Sequence, residues 1–295
     1  MSGTVVVTID PKRDGDPLRD ELEAAGFSAH RNPNARWAFR GPGVVVSLYT
    51  SGKLVAQGRG ARDLVATYLP DAPVGGGKQM ESLDSDLIGT DESGKGDYFG
   101  PLVAAAVCIP KGQEKVLAEL GVRDSKEVSD ASAARAAAAI RAGYPHEIVT
   151  IGPDRYNELY DDFGNLNLLL AWATAKAVKG VTEKHPCRNV LSDKFGNERL
   201  IANALVKAGV EVNLTQRTKA EINPAVAAAS ILARDEFVSR LAALGKATGT
   251  KLPKGAGSPV LSAARRLYHD GGMDALRRVA KMHFKTTKQV TRELF

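Results

Sequence analysis

The stretch LIGTDESGKGDYFGPLVAAAV, residues 87–107, places two adjacent carboxylates between two apolar runs. Asp91 and Glu92 end the first run, and a turn with the sequence SGKG, residues 93–96, leads towards the second. Each run has the length of a buried strand, so the stretch predicts two strands joined by a glycine turn. Because glycine allows close backbone approach, acids in this setting suit divalent metals and a phosphate chain.

A nucleotide-binding P-loop is an alternative interpretation of the same stretch. Gly89, Gly94 and Lys95 have the G-x-x-x-x-G-K spacing of that motif. The motif continues with Ser or Thr, whereas this chain has Gly96. Two acids inside the loop would also repel the phosphates that a P-loop must hold. The sequence therefore favours a metal site.

Size and composition indicate an ordinary soluble protein. The chain has 295 residues, enough for one sizeable domain and a smaller one, with 43% hydrophobic and 25% charged residues. We find no run of eighteen apolar residues and no N-terminal signal pattern, which predicts a cytoplasmic protein. Cys108 and Cys187 lack metal-ligand spacing, so we interpret them as buried apolar side chains.

The charges are distributed unevenly along the chain. Residues 1–80 carry 10 Lys+Arg and 8 Asp+Glu, residues 81–245 carry 19 and 23, and residues 246–295 carry 11 and 3. An acidic middle beside a basic tail suits metal chemistry next to a polyanion. A solvated basic helix is the alternative interpretation of the tail.

Residues 1–70 predict a small α+β domain, an antiparallel sheet backed by two helices. We expect strands at VVVTI, WAFR, VVVSLYT and KLVAQG and helices at residues 17–26 and 61–68. Residues 71–86, DAPVGGGKQMESLDSD, predict a linker because they are rich in glycine and polar residues.

Residues 87–295 show alternating strand and helix signals, which predicts an α/β domain with a central sheet. We expect strands at residues 86–91, 102–109, 147–151 and 189–192, and helices at 129–142, 166–179, 198–208 and 224–244. Asn223 is the predicted N-cap of the last helix, with Pro224 at its first position.

Acidic residues near strand ends are the candidates for metal binding. Hydrolysis of a phosphodiester by two metals needs several oxygen ligands around ions about 3.5–4 Å apart. Strand ends in an open α/β sheet are places where ligand sites form. The candidates are Asp91 and Glu92 at the end of the first strand, Asp193 directly after the short strand at 189–192, and Glu221, which lies just before the start of the helix at Pro224.

The three acids around the glycine turn differ in their local setting. Neighbouring residues of a regular strand point to opposite faces, so Asp91 and Glu92 are expected to need a local distortion, which Gly94 and Gly96 would permit. Asp97, beyond the turn, is interpreted as a residue of loop structure.

The sequence DESGKGDYFGPL resembles the signature of ribonuclease HIII, whereas the related ribonuclease HII typically has a DEAGRG form. Further stretches are similar to the family and extend the resemblance over nearly the whole chain: DSK at 124–126, SDKF at 192–195, TKAEINPAVAAASILAR at 218–234, and LPKGAGSPV and KMHFKTT near the end.

The resemblance implies a ribonuclease H-like mixed-sheet catalytic domain over residues 87–295 and a TATA-binding-protein-like substrate-binding domain over residues 1–70. It implies that four acids are catalytic and hold two Mg2+ or Mn2+ ions, the first of them bridging both ions: Asp91, Glu92, Asp193 and Glu221. Glutamate at position 221 supports the type III assignment, because ribonuclease HII usually has aspartate there. The substrate contacts implied are Ser93, Gly94, Lys95, Gly96, Ser125 and Lys126.

The function implied by the resemblance is endonucleolytic hydrolysis of the RNA strand of RNA–DNA hybrids, leaving 3′-hydroxyl and 5′-phosphate ends. We expect a monomer with no obligate protein partner and no membrane association. One alternative is a ribonuclease HII-like enzyme that incises at single ribonucleotides in duplex DNA. Another is a catalytically silent hybrid-binding protein, and the intact set of four acids argues against it.

Overall fold

The computed structural model describes residues 3–70, 81–122, 130–194 and 196–292. The chain divides into two compact units, Met1–Lys78 and Gln79–Phe295. Each unit buries its own apolar core, so the two are described separately.

The first unit is a five-stranded antiparallel sheet with two helices, in the strand order β1-β5-β4-β3-β2. Its elements are β1 (Gly3–Thr8), α1 (Gly15–Ala24), β2 (Ser28–Ala29), β3 (Trp37–Gly41), β4 (Val44–Leu48), β5 (Lys53–Gly58) and α2 (Ala61–Tyr68). Apolar side chains from the sheet and both helices form its core, among them Leu22, Val46 and Leu54, which are fully buried. The predicted hairpin turns at Gly52, whose φ of +82° favours glycine.

The second unit is built on a mixed five-stranded sheet in the order β10-β9-β6-β7-β8. Strands β6, β9 and β10 are parallel, and β7 and β8 are antiparallel to their neighbours. The elements are β6 (Leu87–Ser93), β7 (Leu102–Ile109), α3 (Glu114–Glu119), α4 (Asp130–Gly143), β8 (His146–Ile151), α5 (Pro153–Phe163), α6 (Leu166–Lys184), β9 (Asn189–Asp193), α7 (Arg199–Lys207), β10 (Asn213–Arg217), α8 (Pro224–Thr248), α9 (Ser258–Arg277) and α10 (Lys285–Arg292).

Helix α8 packs directly on the central strand β6. It begins where the sequence predicts, since the Asn223 side chain accepts a hydrogen bond from the Ala225 amide at 3.0 Å. A Cβ atom at Gly89 would lie 2.1 Å from the carbonyl carbon of Ala225. The close approach of the helix to the strand is therefore possible because position 89 has no side chain. The buried alanines of α8 complete the contact.

Several elements of the second unit are absent from the sequence-based prediction. These are α3, α5, β10, α9 and α10, and the predicted helices at 166–179 and 224–244 extend to Lys184 and Thr248. Leu83, in the stretch that predicts a linker, is 3% exposed in the core of the second unit. Residues 71–80 of that stretch lie outside the described residues. Cys108 and Cys187 are both buried thiols, in agreement with their interpretation.

Candidate active site

A cavity of about 450 Å³ lies at the end of strands β6 and β9. The parallel register pairs Thr90 with Ser192, so the residues that follow, Asp91 and Asp193, lie at the same end of neighbouring strands. Glu92 and Glu221 also line the cavity. The structure thus brings together all four acids that the sequence singles out, and we call them the acid cluster.

The two consecutive acids reach the cavity without a break in the strand. The pairing of β6 with β7 continues from Leu87 to Ser93, which lies opposite Val103. The distortion that we expected between Asp91 and Glu92 is therefore absent from the ladder. The cavity lies across the strand end, where side chains from both faces reach it.

Glu221 reaches the cavity from a short 3₁₀ turn, Ala220–Ile222, between β10 and α8. Lys219 precedes this turn with φ +58° and ψ +39°, a left-handed conformation that is uncommon for a residue with a side chain. The Ala220 amide donates to Oδ1 of Asp193 at 3.3 Å, which links the turn to the end of β9. Glu81 also helps to hold this turn in place, because its carboxylate accepts hydrogen bonds from Arg217 before the turn and from Asn223 after it.

The acid cluster concentrates negative charge in a partly buried place. Burial raises the pKa of Asp91 to about 7, and the nearby charges of Glu92 and Asp193 act in the same direction. The Ser230 hydroxyl and the Glu92 amide, the latter at 2.8 Å, donate hydrogen bonds to Asp91 and lower its pKa in part. A bound cation would remove this repulsion.

The donor set of the acid cluster fits a hard divalent cation. All four side chains offer carboxylate oxygens, which Mg2+ and Mn2+ prefer, and Mg2+ uses few protein ligands because it retains waters. Among the residues that the structure describes, no three acidic, histidine or cysteine side chains already converge as a complete metal-binding group.

Basic side chains line the same cavity as the acids. Nζ of Lys95 lies 3.6 Å from Oε1 of Glu92. Arg234 and Lys254 each contact the Asp130 carboxylate at 2.8 Å, so one acid holds two cations from different segments. Cations beside a cluster of carboxylates suit a substrate with a phosphate backbone.

Helix α8 provides one wall of the cavity, whose residues are not among those predicted from the sequence. Val226, Ser230, Arg234 and Phe237 all line it at intervals of three or four residues. This spacing puts them on one face of the helix, so helical periodicity counted along the predicted helix from Val226 would have grouped them.

The predicted substrate contacts in the turn all line the cavity: Ser93, Gly94, Lys95 and Gly96. Gly94 has φ +88°, and a Cβ there would lie 2.1 Å from the Pro101 carbonyl oxygen. Gly96 is exposed, and a Cβ there would meet nothing within 4 Å. Thus the fold itself requires glycine at 94 and leaves the space beside 96 open.

Three other predicted residues have different outcomes. Ser125 and Lys126 lie outside the described residues. Asp97 lines the cavity, but its Oδ1 accepts a hydrogen bond from the Gly255 amide at 2.6 Å. Asp97 therefore has the loop-structural contact that the sequence analysis expects.

Comparison with known proteins adds to this geometry. A sequence profile of the family described as ribonuclease HII matches residues 88–287, and one of a domain of unknown function matches residues 4–80. The chain is 41% identical to ribonuclease HIII of Protochlamydia amoebophila, over 95% of this chain and 94% of that protein. It is 37% identical to ribonuclease HIII of Chlamydia caviae, over 98% of each. The chain belongs to the ribonuclease HIII family.

The structures of the family agree with this assignment. The crystal structure of Bst-RNase HIII in complex with Mn2+ has a TM-score of 0.68 and 30% identity, and the match covers 99% of both chains. The expected fold is confirmed, a ribonuclease H-like mixed-sheet domain with a small TATA-binding-protein-like α+β domain before it. As a ribonuclease HIII, the protein is an enzyme of the ribonuclease H class, a hydrolase. Within the described residues, we find no helix with the length and apolar character needed to cross a membrane.

Proposed function

We propose that this ribonuclease HIII cuts the RNA strand of RNA–DNA hybrids endonucleolytically with the help of two divalent cations. The observation that carries the proposal is the acid cluster, four carboxylates brought into one cavity from two parallel strand ends and the turn before α8. The family relatives support the substrate class, and the Mn2+ complex of Bst-RNase HIII supports a divalent metal.

The acid cluster would hold both ions, with Asp91 between them. Asp91 lies close enough to Glu92 and Asp193 for the charges of both to raise its pKa. Bound Mg2+ or Mn2+ would supply activation of a water and stabilisation of the leaving oxygen. Cleavage between phosphorus and the 3′ oxygen would leave a 3′-hydroxyl and a 5′-phosphate.

The turn beside the acids would contact the substrate. The open space at Gly96 supports close approach of a strand to the amides of residues 94–96, and a 2′-hydroxyl distinguishes RNA from DNA there. Ser93 and Lys95 would contact the same ribose or its phosphate. Ser125 and Lys126 stay predicted contacts on the strength of the family resemblance.

The first unit would serve as a substrate-binding domain, and this favours long hybrids. A second contact surface on the same chain strengthens binding to a duplex long enough to reach both. A single ribonucleotide in DNA offers only one 2′-hydroxyl, so we expect weak incision there in Mg2+. The ribonuclease HII-like alternative instead predicts efficient incision at a single ribonucleotide.

A cleavage assay with labelled substrates tests the proposal. The protein is incubated with an RNA–DNA hybrid in EDTA, Mg2+ or Mn2+, alongside a duplex of matched length that contains one ribonucleotide. Salt is held constant because phosphate contacts make affinity depend on it. We expect metal-dependent cutting within the RNA run and 5′-phosphate products. Equal efficiency on both duplexes would favour the ribonuclease HII-like alternative, and binding without cutting would favour the silent one.

A second measurement tests metal binding without activity. Added Mn2+ should raise the Tm of the protein, because an ion that binds only the folded state stabilises it. The Asp193→Asn variant should show a smaller rise. A parent Tm that does not respond to Mn2+ would contradict the metal assignment.

A further inference from the structure

Lys281 is fully buried although it carries an amino group. Its Nζ donates to the backbone carbonyl oxygens of Asp97 at 2.8 Å and of Gly100 at 2.7 Å. Both carbonyls belong to residues 94–100, which we call the glycine loop. Lysine is almost never fully buried unless its amino group has partners, and here the partners are the two carbonyls of the glycine loop.

The backbone around Lys281 runs alongside the glycine loop. The Lys281 amide donates to the Tyr98 carbonyl at 2.9 Å, and the Gly100 amide donates to the Val279 carbonyl at 2.9 Å. Phe99 forms an isolated β-bridge with Ala280. Residues 279–281 therefore pair with the loop as a short strand would.

A second segment holds the loop from the other side. The Tyr98 amide donates to the Gly255 carbonyl at 2.9 Å, and the Gly255 amide donates to Oδ1 of Asp97. The hydroxyls of Tyr98 and Thr287 lie 3.2 Å apart and form a further hydrogen bond. The loop is thus held by segments that follow it by more than 150 residues in the chain.

The two carbonyls explain why the side chain is a lysine. Because they face a buried point, they would lack hydrogen-bond donors if the side chain were apolar. Burial lowers the pKa of Lys281 to about 7, with the nearby Asp97 acting in the opposite direction. A neutral amine still has two N–H donors, which matches the two carbonyls, so the contact persists in either protonation state.

We infer that Lys281 is a positioning residue for the proposed reaction, because it fixes the shape in which the glycine loop presents residues 94–96 to the substrate. The inference rests on the proposed function. Lys281 itself lies outside the cavity lining and acts through the loop. Cleavage should depend on it, because a displacement of about 1 Å in a reacting geometry costs on the order of 100-fold in rate.

Two substitutions of Lys281 separate its donors from its volume. Lys281→Met keeps the length and removes the donors, whereas Lys281→Gln keeps two N–H donors without the charge. We expect Met to lower kcat at least about tenfold with KM within about threefold, and Gln to recover a large part of kcat. Leu276→Ala is the control, since it removes buried packing from the same segment without removing a donor to the loop. It should lower Tm but keep kcat at temperatures well below its melting.

Hydrogen–deuterium exchange tests the positioning role without substrate. Lys281→Met should speed exchange in residues 94–100, whereas Leu276→Ala should leave that segment as in the parent. Unchanged exchange there, or a Met variant with the parent kcat, would overturn the inference. If the parent itself does not cut hybrids, the proposed function fails while the exchange experiment still decides the loop contact.

A second variant covers the case in which Lys281→Met does not fold. Lys281→Leu removes the same two donors to the loop carbonyls with a different apolar side chain. We expect faster exchange in residues 94–100 and a lower kcat here too. Parent values for both measurements would overturn the inference.

Discussion

The two sides of the cavity are held in place by different forces. On the acid side, sheet register and the close contact of α8 with Gly89 set the backbone of β6. On the loop side, hydrogen bonds to Lys281 and Gly255 hold a segment that lacks regular structure beyond its isolated bridge. Close packing leaves little room for adjustment on the acid side and at the buried Tyr98 and Phe99, whereas residues 95–97, which are not buried, depend on polar contacts and can change shape alone. The comparison implies that catalysis and stability can be disturbed separately.

The largest effect should follow from removing one charge from the acid side. Asp193→Asn keeps the volume and takes away a proposed ligand charge. Since loss of an outer partner of a metal ligand already costs about 10–100-fold, we expect cleavage to fall by about a hundredfold or more. Steady-state cleavage of a hybrid in Mg2+ measures this, and binding of the uncut hybrid should persist.

The Asp193→Asn variant also tests whether catalysis and stability can be changed independently. Without metal, its Tm should equal or exceed that of the parent, because Asp193 contributes to the repulsion around Asp91. Cleavage near the parent rate would show that Asp193 is not a ligand. A large fall in Tm would show that it has a structural role instead.

A pair of glycine substitutions separates close packing from open space. Gly89→Ala forces a Cβ into the α8 backbone, and we expect a loss of about 1–3 kcal/mol or more in the free energy of unfolding. Gly96→Ala is the matched control, because a Cβ there meets nothing within 4 Å. It should keep the parent stability while raising the KM for hybrids. Chemical denaturation measures both, and equal stability of the two variants would contradict the packing argument.

Deleting residues 1–80 tests whether binding resides in the first unit. The second unit has its own core, so we expect it to fold and to retain most of its kcat. Its KM for a long hybrid should rise about tenfold or more, because one contact surface is lost. A KM equal to that of the parent would remove the first unit as a substrate-binding domain.

The smallest expected effect concerns pH and the buried lysine. The pKa of Lys281 is about 7 in the folded protein against 10.5 ordinarily, so between these values the unfolded chain binds more protons at this site. The contribution of Lys281 to the free energy of unfolding therefore increases as pH rises above 7. The same contribution is lost as pH falls back towards 7. The difference in Tm between the parent and Lys281→Met should grow from pH 7 to pH 9.

Other groups near Lys281 do not share this window. Burial raises the pKa of Tyr156 beyond the range. Burial and Lys281 both lower the pKa of His283, which keeps its titration below pH 7. A Tm difference that is constant from pH 7 to pH 9 would show that the amine has an ordinary pKa.

The elements that the sequence predicts are those with strong local signals. Asn223 and Pro224 mark the start of α8, and the apolar run LVAAAVCI gives both ends of β7 correctly. Strand β10, NLTQR, lacks an apolar alternation and forms because it pairs with β9 at the sheet edge. Helix α5 does carry a signal, since Tyr156, Leu159 and Tyr160 share one face, but its many polar residues obscured it.

The site could be predicted only in part for a related reason. The acids are recognisable because each stands in a distinctive local sequence, and the structure brings them into one cavity. Lys281 does not stand in a distinctive local sequence. Its burial depends on hydrogen bonds to carbonyls that lie more than 180 residues earlier in the chain. Only the tertiary structure brings them together.

The distance in sequence between Lys281 and the glycine loop has a consequence for protein synthesis. Residues 94–100 leave the ribosome long before residues 279–287, which complete their hydrogen bonds. The central strand and its acids can therefore begin to pair while the loop still lacks its partners. We expect the growing chain to gain activity only after residues 279–287 have emerged, so that a chain truncated ahead of residue 279 is an inactive product.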